Sequence, residues 1–211
     1  MATIYLVRHA ESIANTQGTY QGVTYDTDLS EAGKQQAEAL ARLFGSVEIG
    51  QIIASPLKRT MQTAAFVARA KDMEVFAERQ IIETNHGQWE GKHKDEIRRT
   101  WPRLYRKWQR FPSSTKFPDG EHFLETQKRV VIWWREFSQT EKDSLVVSHD
   151  NIIRVIVAKI LNMKLNRIWK FHLQPTAITQ INSTNGTSAL VRLGDGKHLE
   201  DLSVNLSMHA L

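Results

Sequence analysis

Residues Ile4-Tyr5-Leu6-Val7 form a short apolar run that ends directly on Arg8-His9. Such a run is typical of a central strand covered on both faces, and in open α/β sheets ligands bind beyond the carboxyl ends of such strands. The run therefore predicts a first strand that delivers Arg8 and His9 to a ligand-binding edge. The alternative is that the strand simply ends in solvent and both residues are ordinary surface groups.

The same arrangement recurs far down the chain, where the apolar run Ser144 to Ser148 leads into His149. Apolar residues then follow at helical spacing, at Ile152, Ile153, Val155, Ile156, Ile160 and Leu161. Parallel strands in one sheet place their ends at the same edge, so His9 and His149 are expected to lie close together. Two neighbouring imidazoles can form a metal site or an acid, base or nucleophile pair.

A third strand-like run, from Gln51 to Ala54, precedes a segment rich in helix signals. Pro56 suits the first turn of a helix. Arg59 would then lie about one turn inside that helix, near the same sheet edge, with Thr60 and Thr63 as nearby hydroxyl donors. The alternative is an ordinary capped helix with an exposed arginine.

A loop from Glu83 to Gly91 follows the strand-like segment Glu74 to Ala77. A carboxyl group held among apolar neighbours such as Trp89 keeps its proton more readily and can act as a general acid near neutral pH. The alternative for Glu83 is a solvated loop glutamate, which is the more common case.

Taken together, these segments resemble the histidine phosphatase superfamily, also called the phosphoglycerate mutase-like family, over nearly the whole chain. The resemblance rests on ordered blocks: Arg8-His9-Ala10-Glu11 with Asn15, Leu29 to Gly33, Ser55 to Ala64, Glu83 to Gly91, Gly120-Glu121, and Val147 to His149 with Ile153-Arg154. It implies an α/β fold, a three-layer α/β/α sandwich with a mostly parallel central sheet and a helical lid insertion.

The resemblance also implies a set of catalytic residues. His9 would attack phosphorus and carry a phosphohistidine, which requires one neutral ring nitrogen with a free lone pair. Arg8, Arg59 and His149 would surround the phosphoryl oxygens with positive charge. Glu83 would protonate the leaving alkoxide and later help water attack the phosphohistidine.

Substrate or phosphate contacts are implied at Asn15, and at Gln21 and Gly22. Glu11, at the end of the first block, is at least as consistent with a structural hydrogen-bonding role as with catalysis. We therefore leave Glu11 out of the expected chemistry.

The sequence departs from the family pattern at two positions. The residue after the second histidine is usually glycine and here is Asp150, whose negative charge would repel a phosphate unless the side chain turns away. We expect it to do so as the N-cap of the following helix. The Gly-Glu-Ser block of the family reads Gly120-Glu121-His122, and we expect His122 to be a surface residue at a helix start.

Length and composition indicate one enzyme domain spanning residues 1–211, with the insertion at about 92–118. The chain has 41% hydrophobic residues and no cysteine, so neither disulfides nor thiolate metal sites are expected. We find no secretory signal and no apolar run of transmembrane length, and we expect a cytoplasmic protein. No cofactor and no metal are expected, because Arg8 and Arg59 would oppose a cation.

The strands and helices are expected to alternate as β-α units. Helices are predicted from about Ser30 to Phe44, Leu57 to Arg69, Gly120 to Gln139, and after His149. Two further strands, Thr176 to Ile181 and Ser188 to Leu193, are separated by Asn185-Gly186 and predict a hairpin at one sheet edge.

The insertion carries seven basic residues and no acidic residue between Arg98 and Pro118, together with five aromatic residues. We hypothesise a lid that favours anionic substrates bearing an apolar or bulky group, so that replacing Arg103 and Arg106 with alanine would raise KM for charged phosphate esters far more than for neutral ones. The alternative is a solvated amphipathic helix whose aromatic residues pack inward.

The function expected is that of a cofactor-independent phosphomonoesterase that acts on a small phosphorylated metabolite. A phosphoglycerate mutase is the alternative, and a non-catalytic module that binds nucleic acid or a phosphoprotein through the basic segment is more distant. We expect no nucleic acid or membrane partner, and a homodimer is compatible with the resemblance.

Overall fold

A six-stranded sheet runs through the centre of the molecule in the computed structural model, which describes residues 1–206 and 209. The strands are β1 (Ala2–Arg8), β2 (Gln51–Ala54), β3 (Val75–Ala77), β4 (Ser144–Ser148), β5 (Ile178–Thr184) and β6 (Thr187–Asp195). They lie in the order β3-β2-β4-β1-β5-β6, in which the first four are parallel to one another, β5 is antiparallel to β1, and β6 is antiparallel to β5. The predicted, mostly parallel sheet is confirmed.

Seven α-helices surround the sheet in the described part of the chain. They are α1 (Ile13–Thr16), α2 (Glu31–Gly45), α3 (Lys58–Lys71), α4 (Lys94–Thr100), α5 (Pro102–Arg110), α6 (Phe123–Phe137) and α7 (Asp150–Ile160). One local prediction was wrong: Pro56 precedes α3 instead of opening it, so Arg59 is the second residue of that helix and does not lie a full turn inside it.

The two faces of β1 bury different cores. Ile4 and Leu6 belong to the apolar cluster that includes residues of α6 and α7, whereas Val7 belongs to the cluster that includes residues of α2 and α3. Since successive strand residues point to opposite faces, the central strand is covered on both sides. The predicted three-layer α/β/α sandwich is confirmed.

The strand register brings the predicted site residues to one edge. Arg8 pairs with Ser148 on β4, and Ala54 on β2 pairs with Val147. The residues that come next in the chain, His9, Ser55 and His149, therefore lie side by side beyond the carboxyl ends of three parallel strands.

The predicted hairpin is present as β5 and β6. Asn185 and Gly186 both have positive φ, 49° and 78°, the left-handed conformation that a tight two-residue hairpin turn requires. Ala2, at the start of β1, pairs with Ser183 near the end of β5. The turn therefore lies at the end of the sheet opposite the site.

The basic, aromatic insertion packs with its aromatic residues inward. Trp108 and Phe117 are buried, and the Trp108 ring also contacts Phe123 and Trp169 at centroid distances of 4.8 and 5.0 Å. The exception is Phe111, which is 54% exposed. The seven cations of the segment are exposed, at Arg98, Arg99, Arg103, Arg106, Lys107, Arg110 and Lys116.

Candidate active site

A pocket of about 440 Å³, part of it open to solvent, lies beyond the ends of β1, β2 and β4. The described residues that line it are Arg8, His9, Asn15, Thr19, Tyr20, Gln21, Arg59, Glu83, His86, Trp108, Asp150 and Asn151. Six of the eight predicted site residues are among them. Of the other two, His149 contacts His9 with ring centroids 5.4 Å apart, and Gly22 accepts a hydrogen bond from Arg59 through its carbonyl oxygen.

His9 is buried in its neutral form. Its Nδ1 lies 2.7 Å from the carbonyl oxygen of Ala10, and because a carbonyl only accepts, Nδ1 must carry the proton. The lone pair is therefore on Nε2. Burial, together with the positive charges of Arg59 and Arg8, holds the pKa of His9 well below its usual value. The ring is thus in the state that a nucleophile needs.

His149 is fully buried beside it and is fixed by a residue that the sequence analysis did not assign. Its Nε2 lies 2.8 Å from the hydroxyl of Ser55, whereas its Nδ1 is buried without a hydrogen bond in the described structure. Burial and the charge of Arg59 also hold the pKa of His149 well below its usual value. A phosphoryl oxygen is a group that could partner the second ring nitrogen.

The two arginines are each held by their terminal nitrogens. Arg8 donates from Nη1 to the carbonyl of Leu173 at 2.7 Å, and Arg59 pairs with Asp26 at 2.6 Å and donates to the carbonyl of Gly22 at 3.1 Å. Both guanidinium groups are about 1% exposed, and the Nε of each is buried without a hydrogen-bond partner among the described residues. Two fixed cations with unused donors are the groups that binding of an anion requires.

Glu83 is a buried carboxyl group between these charges. Burial raises its pKa to about 7, and the negative charge of Asp150 acts in the same direction. The backbone N–H of Thr84, which donates to Glu83 at 2.8 Å, and the charge of Arg59 oppose this shift. The carboxyl group therefore holds or releases a proton near neutral pH, as a general acid and base must.

The three predicted substrate contacts occupy different places. Asn15 lines the pocket, and its amide oxygen accepts from the backbone N–H and the hydroxyl of Ser12 at 3.1 and 2.9 Å, which leaves its NH₂ group as the donor for a ligand. Gln21 also lines the pocket and donates to the same hydroxyl at 2.7 Å. Gly22 instead acts through its carbonyl on Arg59, and a side chain there would overlap the carboxylate of Glu90.

The expectation that Asp150 turns away as an N-cap was wrong. His149 is the N-cap residue of α7, and Asp150 is the first residue of the helix, buried and lining the pocket. Its carboxylate accepts from Arg154 at 2.6 Å and lies 3.8 Å from Nη1 of Arg8. The two guanidinium groups offset its charge, so it can remain beside a phosphate site. His122 is confirmed as a helix-start residue, because it caps α6 through Leu124.

Several pocket residues were missed by sequence reasoning, although two had a detectable signal. His86 lies in the same loop as Glu83, and Asn151 follows the second histidine by two positions. They contact each other in the pocket wall, where Nε2 of His86 and Nδ2 of Asn151 are 3.3 Å apart. Ser55, which contacts His149 and does not itself line the pocket, had only its place at the end of a strand as a signal. Trp108 lies in the insertion that was hypothesised as a lid, whereas Thr19 and Tyr20 had no signal.

The seven basic residues between Arg98 and Pro118 are absent from the described pocket lining, to which the insertion contributes Trp108. This arrangement matches the alternative of an amphipathic helix with inward aromatic residues, because Arg103 and Arg106 do not line the described pocket. Within the described residues, no three His, Asp or Glu side chains converge as a metal-ligand set. No described helix is long and apolar enough to span a membrane.

Comparison with known proteins agrees with this geometry. The family model of the histidine phosphatase superfamily (branch 1) matches residues 4–196. Phosphoserine phosphatase 1 of Hydrogenobacter thermophilus is 34% identical over 97% of this chain and 97% of its own length. Adenosylcobalamin/alpha-ribazole phosphatase of Salmonella typhimurium is 27% identical over 89% of this chain and 93% of its own length. The solved structure of Bacillus stearothermophilus YhfR, 28% identical, superposes with a TM-score of 0.89 over 94% of this chain and 100% of that one.

The chain therefore belongs to the histidine phosphatase superfamily. The predicted family, fold class and phosphatase activity are confirmed, and the enzyme is a phosphomonoester hydrolase of this superfamily. A phosphohistidine intermediate is general for the family.

Proposed function

We propose that His9 is the nucleophile and Glu83 the proton donor of a phosphatase that acts on small phosphate monoesters. The observation that carries this assignment is a neutral, buried imidazole that shares one pocket with two held guanidinium groups and a carboxyl group whose pKa is raised to about 7. A phosphate dianion supplies the negative charge that this set of groups lacks.

The first chemical step transfers the phosphoryl group to the enzyme. The lone pair of Nε2 of His9 forms a bond to phosphorus while the bond from phosphorus to the ester oxygen breaks. Glu83 gives its proton to the departing alkoxide. Arg8 and Arg59 balance the charge of the phosphoryl oxygens throughout, and His149 is placed to donate to one of them.

The second step returns the enzyme to its starting state. A water molecule attacks phosphorus, the Glu83 carboxylate takes a proton from that water, and the phosphorus–nitrogen bond breaks. Inorganic phosphate is released and Nε2 of His9 regains its lone pair. One carboxyl group can serve both steps because its raised pKa makes both protonation states accessible.

The substrate class proposed is a small phosphorylated metabolite, with phosphoserine as the first candidate because the phosphoserine phosphatase relative matches over nearly the whole chain. The neutral polar wall formed by Gln21, His86 and Asn151 would contact the alcohol part of the ester. We also propose that residues 1–211 form one domain in which the insertion at about 92–118 closes the pocket with Trp108.

The test is phosphate release from phosphoserine and from 3-phosphoglycerate by the purified chain and by His9→Ala. We expect inorganic phosphate from the unaltered chain, loss of at least a thousandfold in kcat for the variant, and an acid-labile phosphoryl group on His9 in quenched samples. Conversion of 3-phosphoglycerate to 2-phosphoglycerate without phosphate release would instead support the mutase. Turnover that persists in His9→Ala would contradict the proposal.

A further inference from the structure

The C-terminal segment brings a histidine against the first arginine of the site. His209 is 4% exposed although it lies only two residues before the last position of the given sequence. Its Nδ1 is 3.4 Å from Nη2 of Arg8, and its Nε2 is 3.1 Å from the carboxylate of Glu11. The same ring thus contacts a pocket residue on one side and a buried carboxylate on the other.

The two contacts fix the proton on the ring. A guanidinium group only donates, so Nδ1 of His209 must accept from Arg8, and the proton is on Nε2, which donates to Glu11. Glu11 is itself fixed, because its carboxylate accepts from the hydroxyl of Ser30 at 3.1 Å and its backbone N–H donates to Gln36 at 2.9 Å. A rigid carboxylate therefore orients the imidazole that faces Arg8.

Leu202 and Val204, which precede His209 in the described part of the chain, are anchored near the same residues. Gln36 donates to the carbonyl of Leu202 at 3.0 Å, and Gln174 both donates to and accepts from the backbone of Val204 at 3.0 and 3.2 Å. Gln174 follows Leu173, whose carbonyl is the other acceptor for Arg8. The segment thus approaches Arg8 from the side on which Leu173 already holds it.

We propose that His209, oriented by Glu11, is a positioning residue that holds the guanidinium group of Arg8 in its phosphate-binding geometry. The inference rests on the proposed function, in which Arg8 binds the phosphoryl group. With one Arg8 terminal nitrogen held by Leu173 and the other by His209, the unpartnered Nε remains as the donor for the phosphate. The C-terminal segment then completes the active site from outside the family motifs.

The charge state of His209 matters for this role. The charged groups around it are Arg8, Glu11 and Asp150, and burial has the largest effect, which lowers its pKa. Protonation would place an N–H of the imidazolium against the N–H groups of Arg8. The hydrogen bond from Arg8 to His209 is therefore present at neutral pH and is lost as the pH falls toward the lowered pKa of His209.

The experiment compares His209→Ala with His209→Asn, because the asparagine oxygen takes the place of Nδ1 and accepts from Arg8 without titrating. We expect the alanine variant to bind inorganic phosphate about tenfold more weakly by calorimetry and to raise KM more than it lowers kcat. The asparagine variant should recover most of this affinity. Because asparagine does not titrate, its phosphate affinity should also fall less at acid pH than that of the unaltered chain. His198→Asn is the matched control, since His198 lies in the same segment and contacts Thr176 instead of Arg8.

A double-mutant cycle separates positioning from a general structural effect. In an Arg8→Lys background, His209→Ala should cause no further loss of phosphate affinity, because the guanidinium group that it positions is gone. A further tenfold loss there, or equal affinity for the single alanine variant and the unaltered chain, would overturn the proposal. Phosphate binding is read without turnover, so absent hydrolysis would count against the proposed function and not against the role of His209. Circular dichroism melting of each variant identifies any that fail to fold.

Discussion

The carboxyl group of Glu83 links the burial of one side chain to the chemistry of the site. It is about 7% exposed, and burial is the main reason that its pKa is raised from 4.5 to about 7. The proton on Glu83 is needed only when the leaving group departs as a strongly basic alkoxide. Its role can therefore be tested by changing the leaving group.

Glu83→Gln should lower kcat for phosphoserine by about a hundredfold to ten-thousandfold, the usual contribution of a general acid. The loss in the first step should be much smaller for p-nitrophenyl phosphate, because p-nitrophenolate departs without a proton. Since the variant also lacks the base for the second step, rapid-quench measurements should show a stoichiometric burst of p-nitrophenol. Glu74→Gln, an exposed glutamate earlier in the chain, is the control. Equal losses in the rate constant of the first step for both esters would contradict the assignment.

The raised pKa also predicts how stability depends on pH. The folded chain holds a proton on Glu83 that the unfolded chain releases, so this group stabilises the fold less and less as the pH rises from about 4.5 to about 7. Glu83→Gln removes the buried charge. Its free energy of unfolding at pH 8 should exceed that of the unaltered chain by an amount on the order of 3 kcal/mol, with little difference at pH 4.5. Urea unfolding at the two pH values measures this, and a gain of the same size at both would refute the buried-charge explanation.

Among single residues, the sequence could predict those that directly follow a recognisable strand. Arg8, His9 and His149 each follow an apolar strand, and the register of parallel strands brings them together. Ser55 and His209 act through side-chain contacts that span 94 and 201 positions of sequence, and no local pattern encodes such distances. Asp150 shows the same limit, because the compensating Arg154 and Arg8 become visible only in the packed structure.

Helix α2 shows how an element is fitted against the site loop. Ser30 caps the helix through the N–H of Gly33, and the Gly33 backbone lies so close to the carbonyl of Glu11 that a Cβ atom would overlap it. The close approach lets the helix pack directly on the loop that follows His9. The motif that contains Gly33 is thus explained by packing and not by chemistry.

Gly33→Ala should destabilise the fold by an amount on the order of several kcal/mol, because the methyl group overlaps the fixed backbone of Glu11. Gly45→Ala in the same helix is the matched control, since nothing lies within 4 Å of the new methyl group and alanine favours helix. We expect that control to match or exceed the unaltered chain in melting temperature. Melting temperatures of the two variants that fall equally would show that the close contact at Glu11 does not matter.

The elements themselves were largely predictable because their signals are local. The bounds of β2 and β4 follow from apolar runs, and the hairpin turn follows from Asn185-Gly186. The start of α3 was misplaced because Leu57 caps the helix without a side-chain hydrogen bond, so no capping residue marks it and Pro56 was taken as the marker. Whether the cations of the insertion point toward the pocket or toward solvent depends on tertiary packing. The spacing of its apolar and charged residues therefore could not decide between the two.

For the molecule as a whole, we expect the exposed cations of the insertion to act on the substrate by long-range electrostatic attraction and not by direct contact. Arg103 and Arg106 are exposed and do not line the described pocket. At about 0.15 M salt the screening length is roughly 8 Å, so charges outside the pocket act weakly on a bound phosphate ester. Their contribution should appear in association and should depend on ionic strength.

The double variant Arg103→Ala/Arg106→Ala should therefore keep kcat unchanged and change kcat/KM by less than about twofold at 0.15 M salt, with a larger decrease at 0.01 M. Steady-state kinetics with a dianionic and a zwitterionic phosphate ester over a salt series measure this. A rise in KM at 0.15 M that is confined to the more negatively charged ester would instead support a lid that binds substrate through these arginines.

The hairpin turn at Asn185-Gly186 offers a practical handle on the enzyme. It is solvent-exposed, its backbone already follows the left-handed path of a chain reversal, and the antiparallel pairing of β1 with β5 places it a full strand length from the catalytic edge. Chain insertions are best tolerated at such tips. A reporter peptide or an immobilisation tether grafted there would leave the mouth of the pocket unobstructed, whereas the same tether fused after His209 would pull on the segment that braces Arg8.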